Sequence, residues 1–340
     1  MSNLTREQET TLRRLEATVR PAYKQPWRQY HNLEHIHRVQ RYIRERYPDH
    51  YDFCMQMAVL LHDYICEPDR MDNERRTVDA FRKMDLKLTE DEVAKISDLI
   101  RATGTPYSNS LLPDEKIIVE ADWNGMAIWD TLDTAKMLFL EQWCTCVRKE
   151  YQYMSVGEGI VRREDFLKEA RANNAISKEV FSYAFVRSKD LWNVALYPGT
   201  FDPFTVRDEK VVKQLTNTYE KVIVAKLPKN GEPVDLEPIK RLLPHLEVVA
   251  IKNSVIEYLK NTPIPGHVSI ISNPGNVTEF VQCCSRTKAR MKRLEKWDAM
   301  PEIDEVWIPT NPDIDYVTES FVNELPDSAR KPYLPKGVIY

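Results

Sequence analysis

Glycine and proline divide this chain into two parts that are expected to fold differently. No glycine precedes Gly104, and fifteen of the 21 prolines follow residue 190. Turn-forming dipeptides such as Pro-Gly, Asp-Pro and Asn-Gly also concentrate in the later part. Because both residues are disfavoured inside helices, the first part is predicted to be helical and the second to be an α/β structure.

Hydrophobic periodicity supports this division. Apolar residues at three- and four-residue spacing predict five amphipathic helices in the first part. These helices are Arg6–Arg20, Asn32–Arg46, Asp52–Asp63, Asn73–Met84 and Glu90–Ala102. After residue 190, β-rich runs alternate with helical stretches, which predicts a parallel sheet with crossover helices. The β-rich runs are Trp192–Tyr197, Lys221–Ala225, Leu246–Ile251, Val268–Ile271 and Glu305–Ile308. The predicted fold class is therefore multidomain, with an all-α bundle followed by an α/β domain.

Composition and charge exclude several classes of protein. No apolar run approaches the roughly 18 residues that span a bilayer, and the first residues lack the apolar stretch of a signal peptide. We therefore expect a cytoplasmic protein with no membrane partner. The net charge of −4 argues against a broad phosphate-binding footprint, so nucleic acid is not an expected partner. The six cysteines have no C-x-x-C spacing and are expected to be reduced.

Histidine is concentrated at one end of the chain, with five of seven in the first 62 residues. His31 and His35 are four residues apart, which places them on one face of a predicted helix. His62 and Asp63 close one apolar run, and Asp122 follows another. Two imidazoles and two carboxylates suit a divalent ion such as Mn²⁺, Fe²⁺, Co²⁺ or Mg²⁺. Such an ion would activate water and neutralise phosphoryl charge.

The order His35, then His62-Asp63, then Asp122 resembles the H…HD…D signature of the HD-domain metal-dependent phosphohydrolases. The runs YHNLEHIHRV, AVLLHDYICEPDRMDNERRTVDAF, LIRAT and VEADWNGMA follow a predicted HD phosphohydrolase subfamily over roughly residues 8–170. The resemblance implies that these four residues hold one divalent metal and that the chain hydrolyses a phosphoester or phosphoanhydride. The subfamily often has a histidine after LIRAT for a second metal. This chain has Gly-Thr-Pro there, which favours a single ion.

Other polar residues in the matched segments have two open roles each. His31 either orients a phosphate or supports a metal ligand. Asp72, Asn73 and Glu74 either position water and substrate or cap the next helix. Arg148 either meets a substrate phosphate or is a solvated surface charge.

The run Val194–Thr205, VALYPGTFDPFT, resembles the first strand and nucleotide-binding loop of pantetheine-phosphate adenylyltransferases, in the cytidylyltransferase-like superfamily. The resemblance covers nearly all of residues 192–340 and implies a Rossmann-like sheet with a ligand crevice at the carboxyl ends of the strands. Thr200 keeps the family's residue and is a candidate ligand contact. Four of the family's phosphate-handling positions have lost or reversed their charge. They are Asp208 in place of a histidine, Ser272–Gly275 in place of paired arginines, Gly231 or Glu232 in place of a lysine, and Val317–Asn323 with Glu319 and Asn323 in the basic serine loop.

These observations predict two domains. Residues 1–190 form a metal-dependent phosphohydrolase domain, with a helical connector from about residue 171 to 191, and residues 191–340 form an adenylyltransferase-like domain that is catalytically inactive. The leading hypothesis is hydrolysis of a small nucleotide or related phosphate ester, with Asp63, His31 and Arg148 as the catalytic groups. The second domain is expected to be a homo-oligomerisation scaffold or a small-ligand sensor. The alternative hypothesis is a nucleotide-binding or sequestering protein without useful turnover, and an active adenylyltransferase is disfavoured.

Overall fold

A computed structural model describes residues 4–67, 70–104, 111–188, 192–229, 232–252, 255–262, 264, 266–272, 303–307, 322–323, 325 and 330–335. The chain divides into two compact units. The first unit comprises residues 1–150 and 161–189, and the second comprises residues 151–160 and 190–340. This division differs from the predicted boundary at residue 190, because residues 151–160 pack with the second unit.

Helices make up the first unit, as predicted. They are α1 (Arg6–Val19), α2 (Leu33–Arg46), α3 (Phe53–Leu61), α4 (Asn73–Phe81), α5 (Glu90–Thr103), α6 (Pro113–Asp122), α7 (Thr134–Glu150), α8 (Val156–Ala172, of which residues 156–160 belong to the second unit) and α9 (Lys178–Arg187). Local signals set several helix starts. Thr5 and Thr89 each form a capping box with the residue three positions later. No helix in the described ranges is long and apolar enough to cross a membrane.

The core of the first unit is centred on α3, in which eight of nine residues are buried. A helix that is apolar on all sides needs neighbours all round, and α1, α2, α5 and α6 supply them. A second apolar cluster includes Leu140 and Trp143 of α7, Leu167 of α8 and Val180 of α9. The stretch predicted as a helical connector contains α9, which packs in this cluster, and residues 189–191 lie outside the described residues.

A polar network on the surface joins three of these helices. Lys95 Nζ on α5 lies 2.8 Å from Asp52 Oδ2, before α3, and 2.9 Å from Asp114 Oδ2, in the first turn of α6. His50 Nδ1 lies 2.8 Å from Asp114 Oδ1. Burial alone would raise the pKa of Asp114, but His50 and Lys95 hold it below its ordinary value. The network therefore favours the ionised carboxylate.

The second unit contains the predicted parallel sheet. Its strands β1 (Trp192–Gly199), β2 (Lys221–Lys226), β3 (Glu247–Ala250), β4 (Gly266–Ser272) and β5 (Ile303–Trp307) are all parallel, in the order β3-β2-β1-β4-β5. The helices α10 (Val206–Thr218), α11 (Glu237–Leu242) and α12 (Val255–Asn261) intervene. Each predicted β-rich run overlaps a strand, and Ile308 lies outside the described residues. The strand order reverses between β1 and β4, which is where open α/β sheets form their ligand crevice.

A buried lysine attaches residues 151–160 to this sheet. Lys221, the first residue of β2, is fully buried, and its ammonium donates to the carbonyls of Gln152 and Met154. It also lies 2.8 Å from the Glu247 carboxylate. The Gln152 side chain accepts the backbone N–H of Val222 at 3.1 Å. These contacts give the segment its place in the second unit, which periodicity alone does not reveal.

Candidate metal centre

Four side chains with metal-ligand chemistry meet in the first unit. His35 comes from α2, His62 and Asp63 directly follow α3, and Asp122 ends α6. Each offers one ligand atom, and these atoms all lie within 4.8 Å of one another. The sequence predicted these four residues as the ligand set, and the structure brings them together. We call them the four-residue cluster. Their binding of a metal stays a prediction.

Helix ends place the two histidines. Asn32 caps α2, and its side-chain oxygen accepts the N–H groups of Glu34 and His35, so His35 lies in the first helical turn. Its side chain is 1% exposed. At the other end of α3, the N–H of His62 still bonds to the carbonyl of Ala58 at 2.8 Å. The chain at His62 therefore still follows the path of the buried helix and does not turn toward the surface.

The separations within the cluster fit one shared cation. His35 Nε2 lies 3.1 Å from His62 Nε2, 3.3 Å from Asp63 Oδ2 and 3.1 Å from Asp122 Oδ1. His62 Nε2 lies 3.1 Å from Asp63 Oδ2 and 3.5 Å from Asp122 Oδ1. Two neighbouring ligands at about 2.1 Å from an ion stand about 3.0 Å apart. Asp63 Oδ2, a buried atom, faces both imidazole nitrogens at these distances, which also suits a shared cation partner.

The tautomer of His62 suits ligation. Its Nδ1 lies 3.0 Å from the carbonyl oxygen of Val59, so Nδ1 carries a proton and donates it. Nε2, which faces the cluster, is then the atom left for a metal.

The electrostatics of the cluster favour ionised carboxylates. Burial alone would raise the pKa of Asp63, but His62 and His31 hold it well below its ordinary value. Burial opposes ionisation of Asp122 too, yet hydrogen bonds from His35 and His62 bring its pKa to about 2. A divalent cation would replace the imidazole protons as the partner of these carboxylates.

Arg28 supports the backbone at the cluster and was not found by the sequence analysis. It is 5% exposed, and its guanidinium donates to the carbonyls of Asp63 at 2.6 Å and Tyr64 at 2.9 Å. These carbonyls follow the end of α3, where helical partners are missing. The guanidinium also lies 5.2 Å from the ring centroids of Tyr23 and Trp27. A lone arginine in a loop gives no sequence signal of contacts 35 residues away.

His31 and Arg148 occupy different surroundings. The His31 ring centroid lies 5.8 Å from that of His35, and its Nδ1 contacts the buried Glu150 carboxylate at 2.6 Å. Arg148 lies on α7 and is 8% exposed, so the alternative of a solvated surface charge is wrong. Burial raises the pKa of the Cys144 thiol on the same helix, and the charge of Arg148 lowers it. A phosphate contact by Arg148 stays a prediction.

Asp72 and Asn73 do not cap α4 through their side chains. Asp72 occupies the N-cap position, but its carboxylate pairs with Arg70 at 3.0 Å instead of a backbone N–H. Asn73 Oδ1 accepts the N–H of Glu67 at 3.1 Å, and its Nδ2 donates to the Glu67 carbonyl at 2.9 Å. Both residues therefore brace the loop between α3 and α4. A substrate contact by Asn73 stays a prediction.

Glu74 has a different environment and lies beside the cluster. Its side chain is half-buried. Burial raises its pKa, its own backbone N–H lowers it, and the charges of Asp63 and Asp122 raise it further. A Cβ atom added at Gly104 would lie only 2.7 Å from Glu74 Cδ. Gly104 thus leaves room for the Glu74 side chain next to the cluster.

In the second unit, Thr200 follows β1 and is half-buried, so it belongs to a separate candidate site from the cluster. Asp208 is 9% exposed in the first turn of α10. Its carboxylate accepts the backbone N–H of Thr205 at 2.8 Å, the Thr205 hydroxyl at 2.7 Å and the Tyr197 hydroxyl at 2.6 Å. Burial raises its pKa. The residue predicted to repel phosphate therefore also supplies an internal acid group to the helix N-terminus, where anions usually bind.

Only parts of the other predicted phosphate-handling positions can be placed. Asn323 Nδ2 donates to the Asp202 carbonyl at 2.8 Å, next to the loop that follows β1. Glu232 is exposed, and its N–H bonds to the carbonyl of Lys229 at 2.9 Å. Gly231, residues 273–275 and residues 317–321, including Glu319, lie outside the described residues.

Comparison with known proteins finds relatives for one part of the chain. No family model matches. Phosphopantetheine adenylyltransferase of Caldanaerobacter subterraneus is 27% identical over 141 residues, which is 39% of this chain and 82% of the relative. The enzymes of the same name from Cytophaga hutchinsonii and Alkaliphilus metalliredigens are 26% and 28% identical, over 39% of this chain and 88% and 84% of their own lengths. These relatives support a nucleotidyltransferase-like domain. The resemblance of the first unit to HD-domain phosphohydrolases stays a prediction.

Proposed function

We propose that this protein is a metal-dependent phosphohydrolase that acts on a small nucleotide or a related phosphate ester. The observation that carries the proposal is the meeting of two imidazole nitrogens and two carboxylate oxygens from three separate parts of the first unit. His35, His62, Asp63 and Asp122 would hold one Mn²⁺, Fe²⁺, Co²⁺ or Mg²⁺ ion. Such an ion supplies neutralisation of phosphoryl charge and a stronger water nucleophile at neutral pH.

The chain's own groups supply the remaining functions. Asp63 would orient water as well as bind the metal, since its Oδ2 faces both histidines. The half-buried Glu74 carboxylate would hold the attacking water beside the cluster. His31, at 27% side-chain exposure, is open to a ligand, and Arg148 is a second candidate phosphate partner.

The test is phosphate and pyrophosphate release from a panel of nucleotides and coenzyme precursors in Mn²⁺, Co²⁺ and Mg²⁺. The variants Asp63→Ala and His35→Ala should lose both metal binding and release. His37→Ala is the matched control, because His37 is exposed on the same helix two residues from His35. Wild-type protein that binds metal but releases no phosphate from any substrate would refute the hydrolase.

The second unit is proposed to bind a small ligand or to form a homo-oligomeric scaffold without transferring adenylyl groups. The capping role of Asp208 supports this, since a preorganised donor lost at a charge-stabilising position costs about 10²–10³ in rate. Pyrophosphate exchange with ATP and phosphopantetheine, measured beside light scattering, tests both parts. Exchange that is lost on Thr200→Ala would refute an inactive domain, and a monomer by light scattering would refute the scaffold.

A nucleotide-binding or sequestering protein is the second candidate. The adenylyltransferase relatives favour it, because they support a nucleotidyltransferase-like domain over part of the chain. Tight nucleotide binding without phosphate release, in the same panel, is the expected result for this function.

A further inference from the structure

Glu150, the last residue of α7, contacts the loop that precedes α2. Its side chain is 1% exposed. Oε1 accepts the backbone N–H groups of Tyr30 at 2.7 Å and His31 at 2.9 Å, and Oε2 lies 2.6 Å from His31 Nδ1. One carboxylate thus holds both the backbone and the ring of His31, across 119 residues of sequence.

This contact determines which ring nitrogen remains for a ligand. With Nδ1 donating to Glu150, Nε2 is the atom left for other partners, and in the imidazolium form its N–H donates to an oxygen. The Cys66 thiol lies near the same imidazole. A thiol is a weak hydrogen-bond partner, so a phosphate oxygen can replace it.

The His31 ring is also accessible in a way that the cluster histidines are not. Its side chain is 27% exposed, whereas those of His35 and His62 are each 1% exposed. The ring packs edge to face against His35, with centroids 5.8 Å apart. A ligand that approaches the cluster from solvent therefore meets His31 next to the candidate metal ligands.

We propose that Glu150 is a positioning residue for a phosphate subsite, in which it fixes Nδ1 of His31 and so presents Nε2 to a phosphate oxygen at the four-residue cluster. Glu150 itself does not touch the ligand. The inference rests on the proposed metal site, but it concerns anion binding and is independent of turnover. A ring held in advance loses little conformational freedom when the ligand binds.

Inorganic phosphate, titrated calorimetrically into the Mn²⁺-loaded full chain, tests this arrangement. Glu150→Ala and His31→Ala should each weaken phosphate binding about tenfold or more. The double variant should bind no more weakly than His31→Ala alone, because both changes remove the same contact. Glu150→Gln should also weaken phosphate binding, because its carboxamide keeps an acceptor for the two backbone N–H groups but turns an NH₂ donor toward Nδ1 of His31. Mn²⁺ affinity should not change.

Glu141→Ala is the matched control on the same helix. Glu141 pairs with Tyr183 and Arg187, so its loss should leave phosphate binding unchanged. Wild-type phosphate affinity in Glu150→Ala would overturn the proposal. Losses that add in the double variant, or a Glu150→Gln variant that binds phosphate as tightly as wild type, would overturn it too.

A measurement on the unaltered chain covers the case in which Glu150→Ala does not fold. In Mg²⁺-loaded protein labelled with ¹⁵N-histidine, phosphate should shift the Nε2 resonance of His31 more than the Nδ1 resonance. An unshifted Nε2 resonance, or a wild-type protein that binds no phosphate with or without metal, overturns the subsite. Phosphate binding with the expected variant pattern but without ester hydrolysis refutes the hydrolase and upholds the subsite.

Discussion

Replacing Gly104 with alanine should impair the candidate site without weakening the fold. Gly104 ends α5 with φ −81° and ψ −1°, a conformation that alanine adopts easily. The added Cβ would stand 2.7 Å from Cδ of Glu74 and 2.8 Å from its Cγ and Oε2. Ordinary carbon contacts are about 3.5 Å, so the Glu74 side chain must move by roughly 0.8 Å.

The substitution should affect stability much less than it affects the rate. A glycine-to-alanine change at a compatible position stabilises a protein by about 0.4–1 kcal/mol, which offsets the small cost of moving a flexible side chain. The melting temperature should therefore stay within about 4 °C of wild type. A displacement of about 1 Å at a catalytic site costs up to about 10²-fold in rate. Metal-dependent phosphate release from Gly104→Ala should accordingly fall by about 10- to 100-fold.

Turnover and thermal melting should be measured together on Gly104→Ala, Glu74→Ala and the double variant. The double variant should be no slower than Glu74→Ala alone, because the alanine at 104 acts only through that carboxylate. Gly157→Ala is the control, since a Cβ there meets nothing within 4 Å. A wild-type rate for Gly104→Ala, or a further loss in the Glu74→Ala background, would refute the reasoning.

Three further changes test other parts of the structure. Arg28→Met should weaken Mn²⁺ binding about 10- to 100-fold in calorimetry, because it removes the support behind Asp63, whereas Arg20→Met, at an exposed pair, should not. Above the pKa that the Asp114 carboxyl has in the unfolded chain, wild type should be more stable than Asp114→Asn, and this difference should disappear as the pH falls through the lower pKa of the folded protein. The difference is measured between the urea midpoints of the two proteins. A difference that grows in acid would contradict the reasoning. Lys221→Met should cost the second unit about 3–5 kcal/mol by leaving the buried Glu247 carboxylate unpaired, as followed by thermal unfolding, and an unchanged transition would refute that contribution.

Local pattern accounts for what could be predicted about the fold. Periodicity located α1 to α5 and the five strands of the described residues, because the spacing of apolar residues reflects the burial of one helix face or of a whole parallel strand. The same reasoning placed His62 and Asp63 at the end of an apolar run and put His31 and His35 on one helix face. The resemblance to the H…HD…D signature then selected His35 as a ligand. It did not find that residues 151–160 pack with the second unit, because Lys221 makes those contacts through a side chain 67 to 69 residues away.

The sequence by itself determined the two-part division, the helix and strand types and the four residues of the candidate metal centre. The first two features depend on short-range spacing and residue chemistry, and the four residues were selected through the resemblance to the H…HD…D signature. Only the tertiary structure decided that Glu150 holds His31, that Arg28 supports Asp63 and that the Asp208 carboxylate accepts the Tyr197 hydroxyl. The physical reason is that a buried polar group must find a partner wherever packing brings one. The identity of that partner depends on the folded arrangement of distant segments.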